Sequence, residues 1–140
     1  SYHGHKCERL HGHNYRAAVE VEGPLTGDYY VFDFVALKAR TKEITDELDH
    51  HMLLATKNPV ITVEEHSARV RVTYADREWV FPRGDCVLLP IENTTAELLA
   101  RYIAGRLLES LKAKERFVPD VLRGEVEEAP GQSATVEIRA

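Results

Sequence analysis

The sequence has little of several features that would place it in other classes of protein. It carries only two cysteines, Cys7 and Cys86, which lie far apart and make no disulfide framework. Such cysteine usage favours a reducing cytoplasm. No apolar run approaches the roughly 20 residues of a membrane-spanning helix, and no signal-peptide pattern opens the sequence. We therefore expect a cytoplasmic protein with no membrane partner.

An excess of positive charge is also missing. The formal net charge is -5, whereas a nucleic-acid binder would present a basic face, so no nucleic-acid partner is expected. Near the start of the chain, however, Lys6, Arg9 and Arg16 are opposed only by Glu8. This patch indicates contact with an anionic small molecule, although exposed basic residues are more often solvated surface.

The length of 140 residues, with 44% hydrophobic residues, supports one domain with one core over residues 1–140. Alternation predicts a half-buried strand over residues 15–22, and a short apolar return strand is expected over 29–34. A closing hairpin is predicted from 121–128 and 134–138, which Pro130 and Gly131 separate.

Two helices are predicted from residues that recur at helical spacing. The buried face of the first is expected to contain Phe34, Leu37, Thr41, Ile44 and Leu48. Thr94 and Glu97 form the pattern of a capping box that opens the second helix. The buried row of this second helix is expected to contain Leu99, Ile103 and Leu107.

The middle of the chain, residues 58–88, has its own alternating segments at 69–74 and 79–81. They predict a β-hairpin inserted between the two helices. This hairpin either extends the sheet or uses Trp79 and Phe81 to cover the functional site or an oligomer contact. The fold class is therefore α+β, with two helices on one face of an antiparallel sheet and an inserted hairpin.

The most informative segment carries a thiol and two imidazoles just before the first predicted strand. Side chains two residues apart on a strand point to the same side, so His11 and His13 can bind one ion. Catalytic zinc usually has three protein ligands and one open position, so a third donor is needed. Cys7 is either that donor or a catalytic thiol.

Two other interpretations of this segment stay open. The first is a structural zinc site made from His5, Cys7, His11 and His13. Such sites more often contain paired Cys-x-x-Cys knuckles, and none occurs in the sequence. The second interpretation is that the histidines are exposed and bind no metal.

Asp49 and His50 lie where the first predicted helix ends. A histidine beside a carboxylate can transfer protons near neutral pH, but a helix end also favours an imidazolium through the helix dipole. Both explanations stay open. Because neighbouring helical side chains diverge, the sequence alone does not predict that Asp49 orients His50.

Several segments together resemble the family of the 6-pyruvoyltetrahydropterin and 6-carboxytetrahydropterin synthases. The signature is Cys7-Glu8-Arg9-Leu10-His11-Gly12-His13-Asn14-Tyr15. The Asp-Phe segment at 31–38, the Leu-Asp-His motif at 48–51, and the segments 92–97 and 126–131 follow in the family's order. The resemblance covers residues 1–56 and 88–138 and leaves the middle unmatched.

The resemblance implies a tunnelling fold in which three subunits close a barrel and two such rings stack into a homohexamer. It implies zinc bound by His11 and His13, with active sites between subunits. It makes Cys7 the catalytic thiol, which acts with Asp49 and His50 of a neighbouring subunit, and gives His51 no role.

The resemblance also assigns Thr95, Glu97 and Glu128 to pterin binding. Glu128 shares strand parity with Leu122 and Val126, so it ends an apolar row with a carboxylate that could accept two parallel N–H donors of a pterin. A solvated strand end is the other interpretation. Glu97 has a competing role in the capping box, so Glu128 is the stronger candidate.

In the resembled family a third histidine, in an opening strand, completes the zinc site. We expect that ligand upstream of residue 1, with His3 or His5 as possible substitutes. The implied substrate is 7,8-dihydroneopterin triphosphate. The spacing Cys-x-x-x-His resembles the 6-carboxy branch, which feeds queuosine-type deazapurines and releases triphosphate and acetaldehyde. The 6-pyruvoyl branch usually has a longer spacing, and a pterin-binding protein without turnover is a further alternative.

Overall fold

The computed structural model describes residues 6–140, so His3 and His5 lie outside the described part. Two α-helices and eight strands form the regular structure of this part. In chain order they are β1 (Arg16–Glu22), α1 (Phe34–Leu48), β2 (Met52–Ala55), β3 (Thr62–His66), β4 (Arg69–Tyr74), β5 (Arg77–Pro82), β6 (Cys86–Leu89), α2 (Ala96–Ser110), β7 (Val121–Ala129) and β8 (Gln132–Arg139). Short 3-10 turns occupy Lys6–Glu8 and Arg83–Asp85, and a π-helical turn at Leu111–Glu115 ends α2.

The main sheet is antiparallel with the order β1-β7-β8. Helix α2 packs on β7 and β8, and α1 packs on α2. The predicted row on α2 is confirmed, because Leu99, Ile103 and Leu107 are all buried. Ala104 of α2 approaches Gly124 of β7 so closely that a Cβ at position 124 would lie 3.0 Å from the Ala104 Cβ. Glycine at this position therefore sets the distance between helix and sheet.

Helix α1 begins where the sequence predicts, but its first residue is not part of the core. Asp33 is the N-cap, and its Oδ1 accepts a hydrogen bond of 2.8 Å from the Val35 amide. Leu37 and Ile44 are buried as expected. Phe34 is 86% exposed, so its predicted place on the buried face is wrong. At the first turn of α1, that side chain points away from α2 and the sheet.

The return strand predicted over residues 29–34 is also wrong. Tyr29 has a φ of 69°, which is left-handed backbone that no strand uses. Hydrogen bonds between Thr26 and both Tyr29 and Tyr30 close a turn there. Phe32 of this segment packs against the core and stacks on Phe117 with ring centroids 4.4 Å apart. A turn at the surface, with one packed aromatic side chain, thus has the composition of a short strand.

The predicted capping box at the start of α2 does not form, because the helix begins one residue later than that prediction requires. Thr95, not Thr94, is the N-cap, and its Oγ1 accepts a hydrogen bond of 3.3 Å from the Leu98 amide. The Asn93 side chain accepts the Thr94 amide instead. Glu97 is therefore the second helical residue and cannot complete a box, which needs the acidic residue at the third.

The middle of the chain contains more than the predicted hairpin. β4 and β5 form that hairpin, and β3 adds a third antiparallel strand to give the sheet β3-β4-β5. The short strands β2 and β6, which precede and follow this meander in the sequence, pair with each other in parallel. A second cluster of core residues joins the β2-β6 pair to the β3-β4-β5 meander. Its four buried members are Leu54, Val70, Val72 and Cys86.

The closing hairpin of β7 and β8 is confirmed, with an irregularity near its turn. Glu127 pairs with Ser133 and Ala129 with Gln132, so Glu128 is an extra residue in β7. This is a β-bulge, a feature that bends a strand and redirects a side chain. Glu128 therefore does not simply continue the strand parity of Leu122 and Val126.

Across residues 6–140, no helix has the length and apolar character that crossing a membrane requires.

Candidate functional site

His11 and His13 lie in an irregular segment immediately before β1, and not on a strand. The strand geometry expected for them is therefore wrong, but the two imidazoles still meet, with ring centroids 4.8 Å apart. His11 Nδ1 lies 2.7 Å from the Arg9 carbonyl. Because a carbonyl only accepts, Nδ1 carries the proton and Nε2 is left as a possible metal ligand.

Glu128 joins the two histidines from the end of β7. The ligand atoms of His11, His13 and Glu128 all lie within 4.8 Å of one another. His13 Nε2 is 2.8 Å from Glu128 Oε1, but the pair is not aligned as a hydrogen bond. That nitrogen is buried and has no hydrogen-bond partner. A buried polar atom of this kind calls for a partner.

These observations fit a zinc ion. Imidazole nitrogens and carboxylate oxygens are ordinary zinc ligands, held at about 2.0–2.2 Å in tetrahedral geometry. Ligands in that geometry lie roughly 3.4 Å apart, so the present arrangement would tighten modestly around an ion. The Arg9 carbonyl fixes the His11 tautomer, as partners of zinc-bound histidines usually do. Gly12 is not needed for packing, since a Cβ there would meet nothing within 4 Å.

Cys7 lies in the 3-10 turn of Lys6–Glu8 and is half-buried. It is a thiol, as is Cys86, which is buried in the second core cluster. Burial raises the pKa of the Cys86 thiol. Cys7 is not among the donor atoms grouped around His11, His13 and Glu128 in the described residues. The position of His5, the fourth member of the alternative structural site, lies outside those residues.

Asp49 and His50 contact each other just beyond α1. His50 Nδ1 lies 2.8 Å from Asp49 Oδ1, with side chains 91% and 68% exposed respectively. Asp49 is the C-cap of α1, and His50 has a φ of 58°. This left-handed turn lets neighbouring side chains meet, which a continuing helix would prevent. His51 points elsewhere, since its Nδ1 donates to the Asp49 carbonyl at 2.7 Å.

Comparison with known proteins assigns the family. Residues 1–139 match the family described as 6-pyruvoyl tetrahydropterin synthase. The chain belongs to this family. The match also runs through residues 58–88, which the sequence motifs had left unmatched.

Several members of the tetrahydropterin synthase family resemble the chain in sequence. A provisionally named 6-carboxy-5,6,7,8-tetrahydropterin synthase of Methanocaldococcus jannaschii is 39% identical over 107 residues, covering 76% of this chain and 66% of that protein. A similarly named protein of Pyrococcus horikoshii is 32% identical, with coverage of 75% and 62%. The 6-carboxy-5,6,7,8-tetrahydropterin synthase of Haemophilus influenzae is 32% identical, with coverage of 75% and 70%. The chain thus spans just under two thirds of the two archaeal relatives.

Solved structures of the same family share the fold. The 6-pyruvoyltetrahydropterin synthase of Plasmodium vivax is 33% identical and superposes with a TM-score of 0.90. The corresponding Plasmodium falciparum protein is 34% identical, with a TM-score of 0.88. Each match covers 100% of this chain and 87% of the other. These matches confirm the predicted α+β tunnelling fold.

Two of the residues assigned to pterin binding, Thr95 and Glu97, also have structural roles at the start of α2. Thr95 is the N-cap of α2, so its hydroxyl already accepts a backbone hydrogen bond. Glu97 lies in the first turn of α2, where a carboxylate interacts favourably with the helix dipole. Their roles in pterin binding stay predictions.

Two residues near the site were missed by the sequence analysis. Tyr15 contacts His13 with ring centroids 5.7 Å apart. Burial, with a smaller contribution from the charge of Glu128, raises the pKa of Tyr15. Arg77 of β5 reaches Glu8, next to Cys7, at 3.3 Å. Tyr15 belongs to the recognised signature and could have been found there, whereas nothing in the sequence links Arg77 to Glu8.

Proposed function

We propose that the protein is a lyase that converts 7,8-dihydroneopterin triphosphate to 6-carboxy-5,6,7,8-tetrahydropterin, with uptake of water and release of triphosphate and acetaldehyde. The observation that carries the proposal is the meeting of His11, His13 and Glu128 within 4.8 Å in a member of the tetrahydropterin synthase family. Two imidazoles and a carboxylate supply both a zinc site and an acceptor for the pterin ring.

His11 and His13 would hold zinc through their ring nitrogens. Two observations support this assignment. His11 Nδ1 lies 2.7 Å from the Arg9 carbonyl, which leaves the lone pair of His11 Nε2 for the metal. His13 Nε2 is buried without a hydrogen-bond partner. When bound, zinc polarises the oxygens of the pterin side chain and acidifies the adjacent C–H bonds. A third protein ligand is part of the proposal, and the described residues leave its identity open.

Glu128 would orient the pterin. Its side chain is 36% exposed, so the carboxylate is accessible to a ligand. It can accept the two parallel N–H donors on the pyrimidine edge of a pterin, in the bidentate manner of charge-assisted hydrogen bonds. The β-bulge at Glu128 supports this role, since bulges often redirect a side chain beside an active site.

Cys7, Asp49 and His50 would move protons at the pterin side chain. The contact of 2.8 Å between His50 Nδ1 and Asp49 Oδ1 keeps the imidazole oriented, as a general acid or base requires. The pair is largely exposed in one chain. This exposure supports the implied arrangement in which the pair of one subunit meets Cys7 of another, in a hexamer of two trimers.

The proposal also specifies which of two pterin products is formed. The 6-carboxy product is supported by the spacing Cys7-x-x-x-His11 and by the names of the curated relatives. The 6-pyruvoyl product is the second candidate, because the Plasmodium structures that cover 100% of this chain carry that name. A role in making queuosine-type deazapurines and a cytoplasmic location belong to the same proposal as the 6-carboxy product.

The test measures triphosphate release from 7,8-dihydroneopterin triphosphate before and after chelation, and again after zinc is restored. We expect zinc-dependent release that Cys7→Ser abolishes while pterin binding persists. Cys86→Ala, which changes the other thiol, is the matched control and should keep turnover. Pterin binding without release in the zinc-loaded wild type would indicate a binding protein. Unfolding on chelation, followed by circular dichroism, would instead indicate a structural zinc site.

A further inference from the structure

We propose that Arg77, on the middle meander, is a positioning residue for Cys7. Its guanidinium holds the turn of Lys6–Glu8, on which Cys7 lies, through an ion pair with Glu8. The inference deepens the proposed function, since it rests on Cys7 being the reactive thiol. It gives the β3-β4-β5 meander a task in the active site.

The ion pair joins parts of the chain that are distant in sequence. Arg77 Nη1 lies 3.3 Å from Glu8 Oε1, across 69 residues. The Glu8 side chain is only 19% exposed and that of Arg77 is 37% exposed. Partial burial makes such a pair less screened than one in water. The contact therefore fixes the Lys6–Glu8 turn to the beginning of β5.

Arg77 is itself held in place by the second core cluster. Its guanidinium lies over the Trp79 ring, 5.0 Å from the centroid, which is the geometry of a cation–π contact. Trp79 follows two residues later on the same face of β5 and packs against the buried cluster that includes Val70 and Val72. The arginine is thus anchored on packed structure rather than on a mobile loop.

The turn that Arg77 contacts is short and lies at the protein surface. It consists of a single 3-10 turn, none of whose residues is buried. The Arg9 amide donates a hydrogen bond of 3.2 Å to the Lys6 carbonyl and so closes the turn. Side-chain contacts must therefore contribute to its position, and Cys7 moves with it. Losing the contact of Arg77 would let the thiol sample other positions.

The first test measures the alkylation rate of each thiol by iodoacetamide, with peptide mass spectrometry to separate Cys7 from Cys86. Cys86 is 5% exposed and serves as an internal reference for global loosening. We expect Arg77→Gln to raise the Cys7 rate about three- to five-fold, the size expected on release of a partly exposed ion pair. The Cys86 rate should not change. An unchanged Cys7 rate, or an equal rise at both thiols, would overturn the proposal.

Arg71→Gln is the matched control. Arg71 also belongs to the meander and also pairs with a glutamate, Glu78, at 3.1 Å, but both side chains are about half exposed. It should leave the Cys7 rate at the wild-type value. A double-mutant cycle with Glu8→Gln tests the pair directly. Arg77→Gln should add nothing in the Glu8→Gln background, and full additivity would refute the coupling.

The second test separates positioning from substrate binding. For a positioning residue, Arg77→Gln should lower kcat about three- to five-fold, in line with the loss of a weak ion pair, and leave KM within about two-fold. A rise in KM alone would assign Arg77 to substrate binding and overturn the proposal. The alkylation test needs no turnover. If the wild type released no triphosphate, the proposed function would fail, and the alkylation rates alone would decide the role of Arg77.

Discussion

His13 Nε2 lies 2.8 Å from Glu128 Oε1, and this buried nitrogen makes no hydrogen bond. This short distance is important because His13 and Glu128 are assigned to bind different partners. His13 is assigned to zinc and Glu128 to the pterin, although their atoms are close enough to bind the same ion. Substituting Glu128 separates the two roles.

Glu128→Gln should keep the wild-type zinc content and weaken pterin binding about 10- to 100-fold, because a hydrogen bond to a charged group is worth about 1.5–3 kcal/mol. Zinc content is measured by elemental analysis and pterin affinity by calorimetry. His13→Ala is the matched control and should lose zinc. Loss of zinc from Glu128→Gln would show that the carboxylate is a metal ligand and contradict its assignment to the pterin.

His50→Gly should stabilise the protein while reducing its turnover. His50 adopts a φ of 58° after α1, where glycine is the preferred residue, so the change should add about 1 kcal/mol to the free energy of unfolding. Loss of the imidazole should reduce kcat about 100-fold or more. Urea unfolding and triphosphate release measure the two effects. His51→Gln is the control and should keep near wild-type activity; a similar loss there would weaken the assignment to His50.

Gly124→Ala should destabilise the contact between α2 and β7. The added methyl would lie 3.0 Å from the Ala104 Cβ and 3.4 Å from the Ala100 carbonyl oxygen. Overpacking of this kind costs about 1–3 kcal/mol. Gly105→Ala is the matched control, because a Cβ there meets nothing within 4 Å and helix propensity favours alanine by about 0.8–1 kcal/mol. Thermal unfolding should therefore give shifts of opposite sign, and shifts of the same sign would contradict the packing argument.

The ion pair between Glu47 and Arg106 predicts a pH dependence of stability. Arg106 donates two hydrogen bonds to Glu47, at 2.9 and 3.1 Å. These bonds, opposed in part by desolvation, lower the pKa of Glu47 from its usual 4.5. A carboxyl with a lowered pKa stabilises the fold above 4.5, and its contribution is lost as the pH falls through the folded-state pKa. The pair is half exposed, so the contribution should stay under about 1 kcal/mol.

The measurement is the free energy of unfolding of wild type and Arg106→Gln across this pH range. The difference should be constant above pH 5 and shrink below pH 4.5. Lys38→Gln removes one positive charge from the exposed side of α1 without touching Glu47 and is the control for net charge. A difference that grows as the pH falls would have the wrong sign for a carboxylate with a lowered pKa.

The elements that the sequence predicts correctly are those with one buried face. Helices α1 and α2, strand β1 and the β7-β8 hairpin all show the periodicity of a half-buried element. Strands β2 and β6 have only four residues each and are apolar, MLLA and CVLL. A parallel pair of this kind shows no alternation. Local sequence also does not predict that these two strands, more than 30 residues apart, pair with each other.

In the candidate site, too, local features could be predicted from the sequence, whereas contacts between distant segments could not. His11 and His13 lie two residues apart in the sequence, so their meeting could be predicted even though the strand geometry was wrong. The bulge at Glu128 depends on the register between β7 and β8, which local parity cannot give. The reach of Arg77 to Glu8 depends on how the meander packs, so only the folded chain reveals it.

The measurement that tests the central claim most directly is the mass-spectrometric identification of the pterin formed by zinc-loaded protein from 7,8-dihydroneopterin triphosphate. We predict 6-carboxy-5,6,7,8-tetrahydropterin, with acetaldehyde and triphosphate in equal amounts. A 6-pyruvoyl product without acetaldehyde would move the protein to the other branch of the family. Unchanged substrate, with zinc shown to be bound, would contradict the assignment as a synthase acting on this pterin.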